Sequence, residues 1–546
     1  MRSLEPWLPL ALALLVALAF GHRFENDWVF DDEDVIRDGA LVHDPGRILE
    51  AWTHHTLVAS RVDPGLQPVD TYRPLPITSF ALDAQLSGRD PWAFHLTSLL
   101  LHLGCVLLVF ALARLWLGAP WPAFYGAAVF ALHPWGVEAH VWINGRSDPL
   151  ALLFGLGAMA LVLLAERRGD RRLLVPAGLS LTLGLFAKET LLLALPAILV
   201  MPAARGGASP LRDRLAPRLA CLALPAALYL GARSWVLGGM RTHRDADMLF
   251  EAGRNLPWLL FDALRQAIAP SIPYLRSLRD EYADLAPWQI GLAAVVVLAV
   301  CGLAWRARAR APLAAWSLLW FLPPLVPVAI ITTALWPGFG RYLYLPVAGL
   351  AWALAELVAK LGPSRRALVV PLAGAHLLAL GGLAWLYTAS FRDSASLYGD
   401  AIAARPEQPM AHGFWGLTLW DERDAAAAIP PLARAVELDP GEHRYRIILG
   451  RALLAEGRRE EAAAVAESGI ALHRGRQEEA PYHLLAVNAM SAPDPERAVR
   501  HLVRCLDVWP GRVDCERALS FLLTEAPDAE HNRAVLRRLR PTDAPR

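Results

Sequence analysis

Apolar stretches, most of them fifteen to twenty-odd residues long, recur from the start of this chain to about residue 388. A bilayer core of ~30 Å needs about that much helix to cross it, so the chain reads as polytopic. Eleven spans are expected, at 7–21, 96–117, 121–135, 148–166, 173–187, 189–202, 217–236, 287–305, 313–335, 342–361 and 367–388, of which the third, fifth and sixth are short. With 55% hydrophobic residues over 546 positions, a single soluble domain is excluded. The net charge of +1 gives no general pull toward nucleic acid.

The basic residues orient these spans. Arg167, Arg168, Arg171 and Arg172 fall in one connection, and Arg205, Arg212, Arg214 and Arg218 in another. Arg306, Arg308 and Arg310 fall in a third, and Lys360, Arg365 and Arg366 in a fourth. With the N-terminus inside, all four are cytoplasmic, as the positive-inside rule requires. The opposite side then receives the first outer loop 22–95, the loop 134–147, the turn at Lys188–Glu189, the loop 237–286, the turn 336–341 and the tail. Residues 1–21 read as a retained anchor; they also fit a secretory signal peptide, and both readings export the loop 22–95.

The tail, 393–546, is polar and repetitive, whereas 1–392 is the membrane domain. Gly416, Leu419, Ala428 and Ala435 recur 34 residues later as Gly450, Leu453, Ala462 and Gly469. Ala486, Ala498, Cys505 and Pro510 make a third unit after a two-residue slip. Small residues at that period are the mark of tetratricopeptide repeats, an α-solenoid in which paired helices cross. Pro430–Pro431 should kink one helix. Cys105, Cys221 and Cys301 read as small core hydrophobes. Cys505 and Cys515 can pair if the tail is outside the cytoplasm, although spacing alone does not prove it.

Five polar constellations collect on the outer side. The first is Phe30-Asp31-Asp32-Glu33-Asp34. Carboxylates in a membrane-level cleft can accept a hydroxyl proton, or hold a divalent ion (Mg or Mn) near a phosphate; a solvated acidic loop is the ordinary alternative. The second is Thr71-Tyr72-Arg73-Pro74-Leu75, where Arg73 suits a phosphate or serves as an interfacial anchor. The third runs from His133 through Glu138 to Arg146, with Ser147 or Asp148 expected to cap the helix that begins near Pro149. His133 and Glu138 lack the spacing of a helical zinc motif. Lys188-Glu189 is the fourth, either functional or simply neutralising itself. The fifth is Arg341-Tyr342-Leu343-Tyr344-Leu345-Pro346, offering a second phosphate contact or an aromatic belt.

Taken in order, the acidic pair, Tyr72-Arg73-Pro74-Leu75, His95 to His102, His133-Pro134 with Glu138-Ala139, Gly145-Arg146 with Asp148, Lys188-Glu189, Tyr342-Leu343-Tyr344-Leu345-Pro346 and the repeats resemble one known family. That family is the transmembrane and tetratricopeptide-repeat O-mannosyltransferases and their bacterial relatives, with the GT-C glycosyltransferase fold. The resemblance covers nearly the whole chain. It implies an inverting enzyme with a polyprenyl-phosphate sugar as donor and a protein or glycan hydroxyl as acceptor. By the same resemblance Asp31 and Asp32 are the catalytic pair, and a metal, if any, sits on them. Tyr72, Arg73, His133, Glu138, Arg146, Lys188, Glu189 and Arg341 fall on the donor side. Gly136 and Gly340 depart from the family, which often has a second His and an acidic residue there. The site and repeats are expected in the periplasm of a bacterial inner membrane, or in the lumen for an endoplasmic-reticulum homologue. No GxxxxGK[ST] nucleotide loop is apparent, in keeping with a donor made elsewhere. An oligosaccharide ligase or polymerase, or a non-enzymatic scaffold acting through its repeats, are the rival readings.

Overall fold

A computed structural model describes residues 2–54, 71–205, 210–238, 246–274, 276, 281–282, 285–334, 340–361, 363–475, 479–489, 495–524 and 529–539. Among these residues there is no β-strand. The chain divides into two compact units, 1–397 and 398–546.

The helices of the first unit that matter here are α1 (Leu8–Phe20), α2 (Pro74–Ser87), α3 (Trp92–Leu117), α4 (Pro120–Leu132), α5 (Ser147–Arg168), α6 (Leu174–Ala187) and α7 (Leu211–Leu237). They are followed by α8 (Ala246–Ile268), α9 (Pro287–Ala307), α10 (Pro312–Phe321), α11 (Val326–Ala334), α12 (Tyr344–Ala359) and α13 (Pro363–Ser390). Eight helical stretches among the described residues are long and apolar enough to cross a membrane; the three short spans make up the difference from the expected eleven. Those at 121–135, 173–187 and 189–202 correspond to the 13-residue α4, the 14-residue α6, and a 3₁₀ turn Glu189–Ala194 leading into Leu195–Leu199. Extended residues end the first two, at His133 ahead of Pro134 and at Lys188. Both short helices pack between longer ones, α4 against α3 and α12, α6 against α5 and α7. The expected outer loop 237–286 contains α8, whose Asp262 and Gln266 are buried.

Close packing of apolar helices in lipid depends on small residues. Gly126 of α4 faces the Ala351 carbonyl of α12 so closely that a Cβ there would collide with it. Beside this contact Trp116, Trp316, Trp320 and Trp352 form an aromatic cluster, with neighbouring centroids 5.1–6.1 Å apart. Each indole N–H has a carbonyl partner, at Pro202, Ala197, Leu345 and Val109 respectively. A buried donor in an apolar medium requires one. Of the arginines that orient the chain, Arg218 is buried in α7, where Glu166 and the carbonyls of Leu199 and Met201 take its donors.

The second unit is a solenoid of helices α14 (Pro409–Asp421), α15 (Ala425–Leu438), α16 (His443–Ala455), α17 (Arg459–Leu472), α18 (Glu479–Ala489), α19 (Pro495–Val508), α20 (Val513–Thr524) and α21 (Ala529–Leu539), each packed on the next. The repeat positions lie at the crossings. Ala428, Ala435 and Ala462 are fully buried, and a Cβ at Gly450 would collide with Leu485. Ala486 and Cys505 of the third unit are buried, while at the next repeat position Val499 takes the core and Ala498 is half-buried. α15 runs unbroken through Pro430 and Pro431, which lie inside it. Cys505 and Cys515 form a disulfide that closes the turn between α19 and α20.

Candidate functional site

The acidic pair comes directly after a residue in an uncommon conformation. Phe30 has φ +58°, in the left-handed region, and the next residue is Asp31. A bulky side chain there is strained, and such strain is concentrated where a neighbouring group must be aimed. Asp32 begins a short helical turn and is 1% exposed. Its Oδ1 accepts the backbone N–H of Asn144 at 2.8 Å, and the Asn144 side chain lies close enough to Asp31 to favour its charged form. Burial pushes the Asp31 carboxyl up to about 6, against the lowering pull of Asn144 and of the Arg341 charge. Burial and then the neighbouring Asp31 drive Asp32 well above the usual carboxylate range. Both carboxyls are thus pushed toward the protonated form, which suits groups that exchange protons.

The cationic residues of the four other constellations meet near this pair, but in pairings the sequence does not announce. Lys188 and Glu189 do not neutralise each other. Lys188 Nζ lies 2.6 and 2.7 Å from the two Asp148 oxygens, while Glu189 takes a two-pronged contact from Arg73 at 3.0 and 2.5 Å. Lys188 is extended (φ −159°, ψ 130°), so successive side chains point to opposite sides and find different partners. Asp148 is therefore a counter-ion, and α5 begins without a side-chain cap. Burial holds the Lys188 ammonium down to about 8, with Asp148 opposing the shift. Arg341 lies with its guanidinium carbon 4.3 Å from the Trp142 ring centroid, and Phe30 meets that ring edge-on at 5.4 Å. Lys188 also sits 5.3 Å from the Tyr342 ring.

Four expected donor-side residues prove to be buried and committed to internal contacts. Arg146 is fully enclosed, paired with Asp83 at 2.5 Å and donating to Ser98, Ser79 and the Phe94 carbonyl. Glu138 is 1% exposed and accepts from the Arg341 and Gly340 backbone and from the Tyr387 hydroxyl. His133 bridges its own turn to the Ala267 carbonyl of α8, and the Tyr72 hydroxyl donates to the Trp52 carbonyl. Such enclosure suits bracing rather than direct contact with a ligand. The departures fit their surroundings. A Cβ at Gly340 would meet Glu138 Oε1 at 3.4 Å, so an acidic side chain there would face a carboxylate, and one at Gly136 would press on the Tyr344 ring.

Residues not singled out in the sequence complete the braces: Asp83, Tyr387, Arg23 and His140. Arg23 is buried and donates to the His140 carbonyl at 2.8 Å and meets its ring nitrogen, while His140 stacks on His102 at 3.8 Å. A charged residue in an otherwise apolar helix is the available signal for Asp83. For a divalent ion the donor set is thin. No group of three or more His, Cys, Asp or Glu side chains converges among the described residues, and the acidic pair is biased toward holding a proton. The residues do not fit a resident metal.

The fold and this polar cluster define a helical integral membrane protein with an acidic pair and a group of cations gathered at one place. Residues 74–231 match the model of the dolichyl-phosphate-mannose-protein mannosyltransferase family. The protein O-mannosyl-transferase TMTC4 of Homo sapiens is 30% identical over 164 residues, covering 28% of this chain and 22% of that protein. Tmtc2 of Drosophila melanogaster, of the same description, is 34% identical over 163 residues, covering 29% and 17%. TMTC2 of Homo sapiens is 38% identical over 86 residues, covering 16% and 10%. The expected resemblance to the transmembrane and tetratricopeptide-repeat O-mannosyltransferases therefore holds, with residues 74–231 similar to a mannosyltransferase-family domain. The chain aligns with about a fifth of the length of these relatives or less. Among solved structures, the crystal structure of the APC/C hetero-tetramer Cut9-Hcn1 aligns over 82% of this chain and 92% of that one, at 14% identity and a TM-score of 0.23.

Proposed function

We propose that this protein is an inverting GT-C-type glycosyltransferase that moves mannose or a similar sugar from a polyprenyl-phosphate donor to a hydroxyl on protein or cell-envelope glycan. The observation that carries the reading is the placement of the Asp31–Asp32 pair near Arg341: Asp32 accepts the Asn144 N–H, and Phe30, next to Asp31, shares the Trp142 ring with Arg341. Asp31 takes the acceptor hydroxyl proton. The freed oxygen lone pair forms the new bond to the anomeric carbon, and the sugar–phosphate bond breaks with its electrons leaving on polyprenyl phosphate. The charge growing on that phosphate is met by Arg341, while Arg73 and Lys188 are each matched by a counter-ion, Glu189 and Asp148. Asp32 keeps its proton, so that Asp31 is the member able to act as base.

The first unit holds the site, and the second presents an acceptor on the same, non-cytoplasmic side. The Cys505–Cys515 disulfide supports an oxidising compartment for the solenoid. A bacterial inner membrane with a periplasmic site, or an endoplasmic-reticulum membrane with a luminal one, meets this condition. The test is release of polyprenyl phosphate from radiolabelled polyprenyl-phosphate mannose by purified protein. Wild type releases it and Asp31→Asn does not; equal release by the two proteins would remove the reading.

A further inference from the structure

Glu138 and Trp142 lie in one short segment, and both reach Arg341. Glu138 sits in the helical turn Val137–His140, and Trp142 follows shortly after its end. Glu138 Oε2 accepts the Arg341 backbone N–H at 3.1 Å, whereas the Trp142 ring centroid lies 4.3 Å from the guanidinium carbon. One contact fixes the root of the arginine and the other its charged end. An arginine side chain is long and flexible, so its charge is placed accurately only when both ends are held.

The carboxylate that holds the root is itself held. Its second oxygen, Oε1, accepts the Tyr387 hydroxyl from α13, so each oxygen has a donor from a different part of the chain. A buried carboxylate is costly unless its oxygens are matched, and one matched at both oxygens resists rotation. Residues after α8 close the same turn from another side. The Pro273 ring presses on Gly340, where a Cβ would come within 2.9 Å of it, and Tyr274 meets the Tyr387 ring edge-on at 5.6 Å. Trp135 Nε1 donates to the Ser271 carbonyl at 2.8 Å, which ties this stretch back to the segment that carries Glu138. The bond to Arg341 therefore needs a side-chain oxygen at position 138, which no apolar residue supplies.

We propose that Glu138 is the positioning residue of Arg341: its carboxylate, aimed by Tyr387, sets where the guanidinium meets the charge leaving on the donor phosphate. This rests on Arg341 being the cation that faces that phosphate. Glu138 is enclosed, and it acts through Arg341 rather than on the donor.

The experiment is a double-mutant cycle on polyprenyl phosphate release from radiolabelled polyprenyl-phosphate mannose, run with the full chain in detergent. The proteins are wild type, Glu138→Ala, Arg341→Ala and the double variant, with Glu138→Gln and Tyr387→Phe beside them. Glu138→Ala is expected to lower kcat by about 10- to 100-fold with little change in KM for the donor, because the misplaced charge matters most in the transition state. In the Arg341→Ala background the same change costs less than about twofold, since nothing is left to position. Glu138→Gln keeps an oxygen for the Arg341 N–H and recovers most of the activity. A purely structural role predicts losses that multiply across the two backgrounds; that result overturns the proposal, as does a wild-type kcat in Glu138→Ala. If Glu138→Ala does not elute as a single species, Tyr387→Phe, which removes one hydroxyl, carries the same cycle. Its expected loss is about 3- to 10-fold and is confined to proteins that retain Arg341. Wild-type release by Arg341→Ala removes the reading of Arg341 itself, and absence of release by wild type removes the proposed reaction.

Discussion

Lys188 Nζ sits within 2.7 Å of both oxygens of Asp148, and each side chain is at most 6% exposed. This pair, and the neighbouring Arg73–Glu189 pair, divide two residues that are adjacent in sequence between two partners on different helices. Each buried ion thereby has one dedicated counter-ion, which a Lys–Glu contact between neighbours would not supply.

Removing one member of such a pair leaves a buried charge without compensation. Lys188→Met is expected to lower stability by about 3–5 kcal/mol, and Asp148→Asn by a similar amount. The combined Lys188→Met/Asp148→Leu change should cost less than either single replacement. Thermal unfolding of the detergent-solubilised chain measures this, and a double variant less stable than both singles would contradict the pairing.

Asp31 sets a conflict between activity and stability. Its carboxyl, at 3.8 when unperturbed, is raised to about 6 by burial. Between about pH 4 and 6 the folded chain therefore holds more protons than the unfolded one, and stability falls as pH rises through that window. Asp32, raised further, extends the fall to higher pH. Asp31→Asn should thus unfold at a higher temperature than wild type at pH 7, with a flatter pH dependence, while losing release activity by about 10²-fold or more. In wild type, activity should climb through pH 6 as the base ionises. An Asp31→Asn protein that is both inactive and less stable at pH 7 would argue against the buried-carboxylate account.

Arg341 places its guanidinium carbon 4.3 Å from the Trp142 ring centroid, a contact that a lysine ammonium does not reproduce. Arg341→Lys should keep the fold yet lower kcat by about 10- to 10³-fold, as expected when a charge-stabilising donor is misplaced. Comparable loss in Trp142→Leu, which removes the stacking surface, would tie the effect to orientation; full activity in Arg341→Lys would mean that a point charge suffices.

The Cys505–Cys515 bond closes a loop with a sequence separation of 10. Its loss should destabilise the solenoid by about 2–3 kcal/mol. Limited proteolysis of the full chain, with and without reductant, reads this as earlier cleavage within 495–524. Identical digestion of wild type and Cys505→Ser/Cys515→Ser under oxidising conditions would show that the bond contributes nothing there.

Much of the fold is legible from local pattern. Apolar runs of membrane length and a 34-residue spacing of small residues are properties of single segments, so Trp92–Leu117 and the Gly416–Gly450 register are readable without knowing what they touch. The short helices are less so, because α4 and α6 owe their place to packing between longer neighbours. At the candidate site, sequence shows which residue types gather but not how they pair. Arg146 and Glu138 look like ligand contacts when only their loop is considered. Their partners, Asp83 and Tyr387, come from α2 and α13, and those contacts turn them into braces. Asn144 is hidden for a related reason: its hydrogen bond to Asp32 comes from a backbone N–H, which every residue but proline carries.

Glu138 joins the Gly340–Arg341 turn to Tyr387, near the end of the last apolar helix of the first unit. During synthesis the acidic pair, the Asn144 segment and Lys188 all emerge well before residue 387. Until that final helix is inserted, Glu138 lacks its tyrosine. The brace on the Gly340–Arg341 turn is thus complete only when the last apolar helix of the first unit is in place.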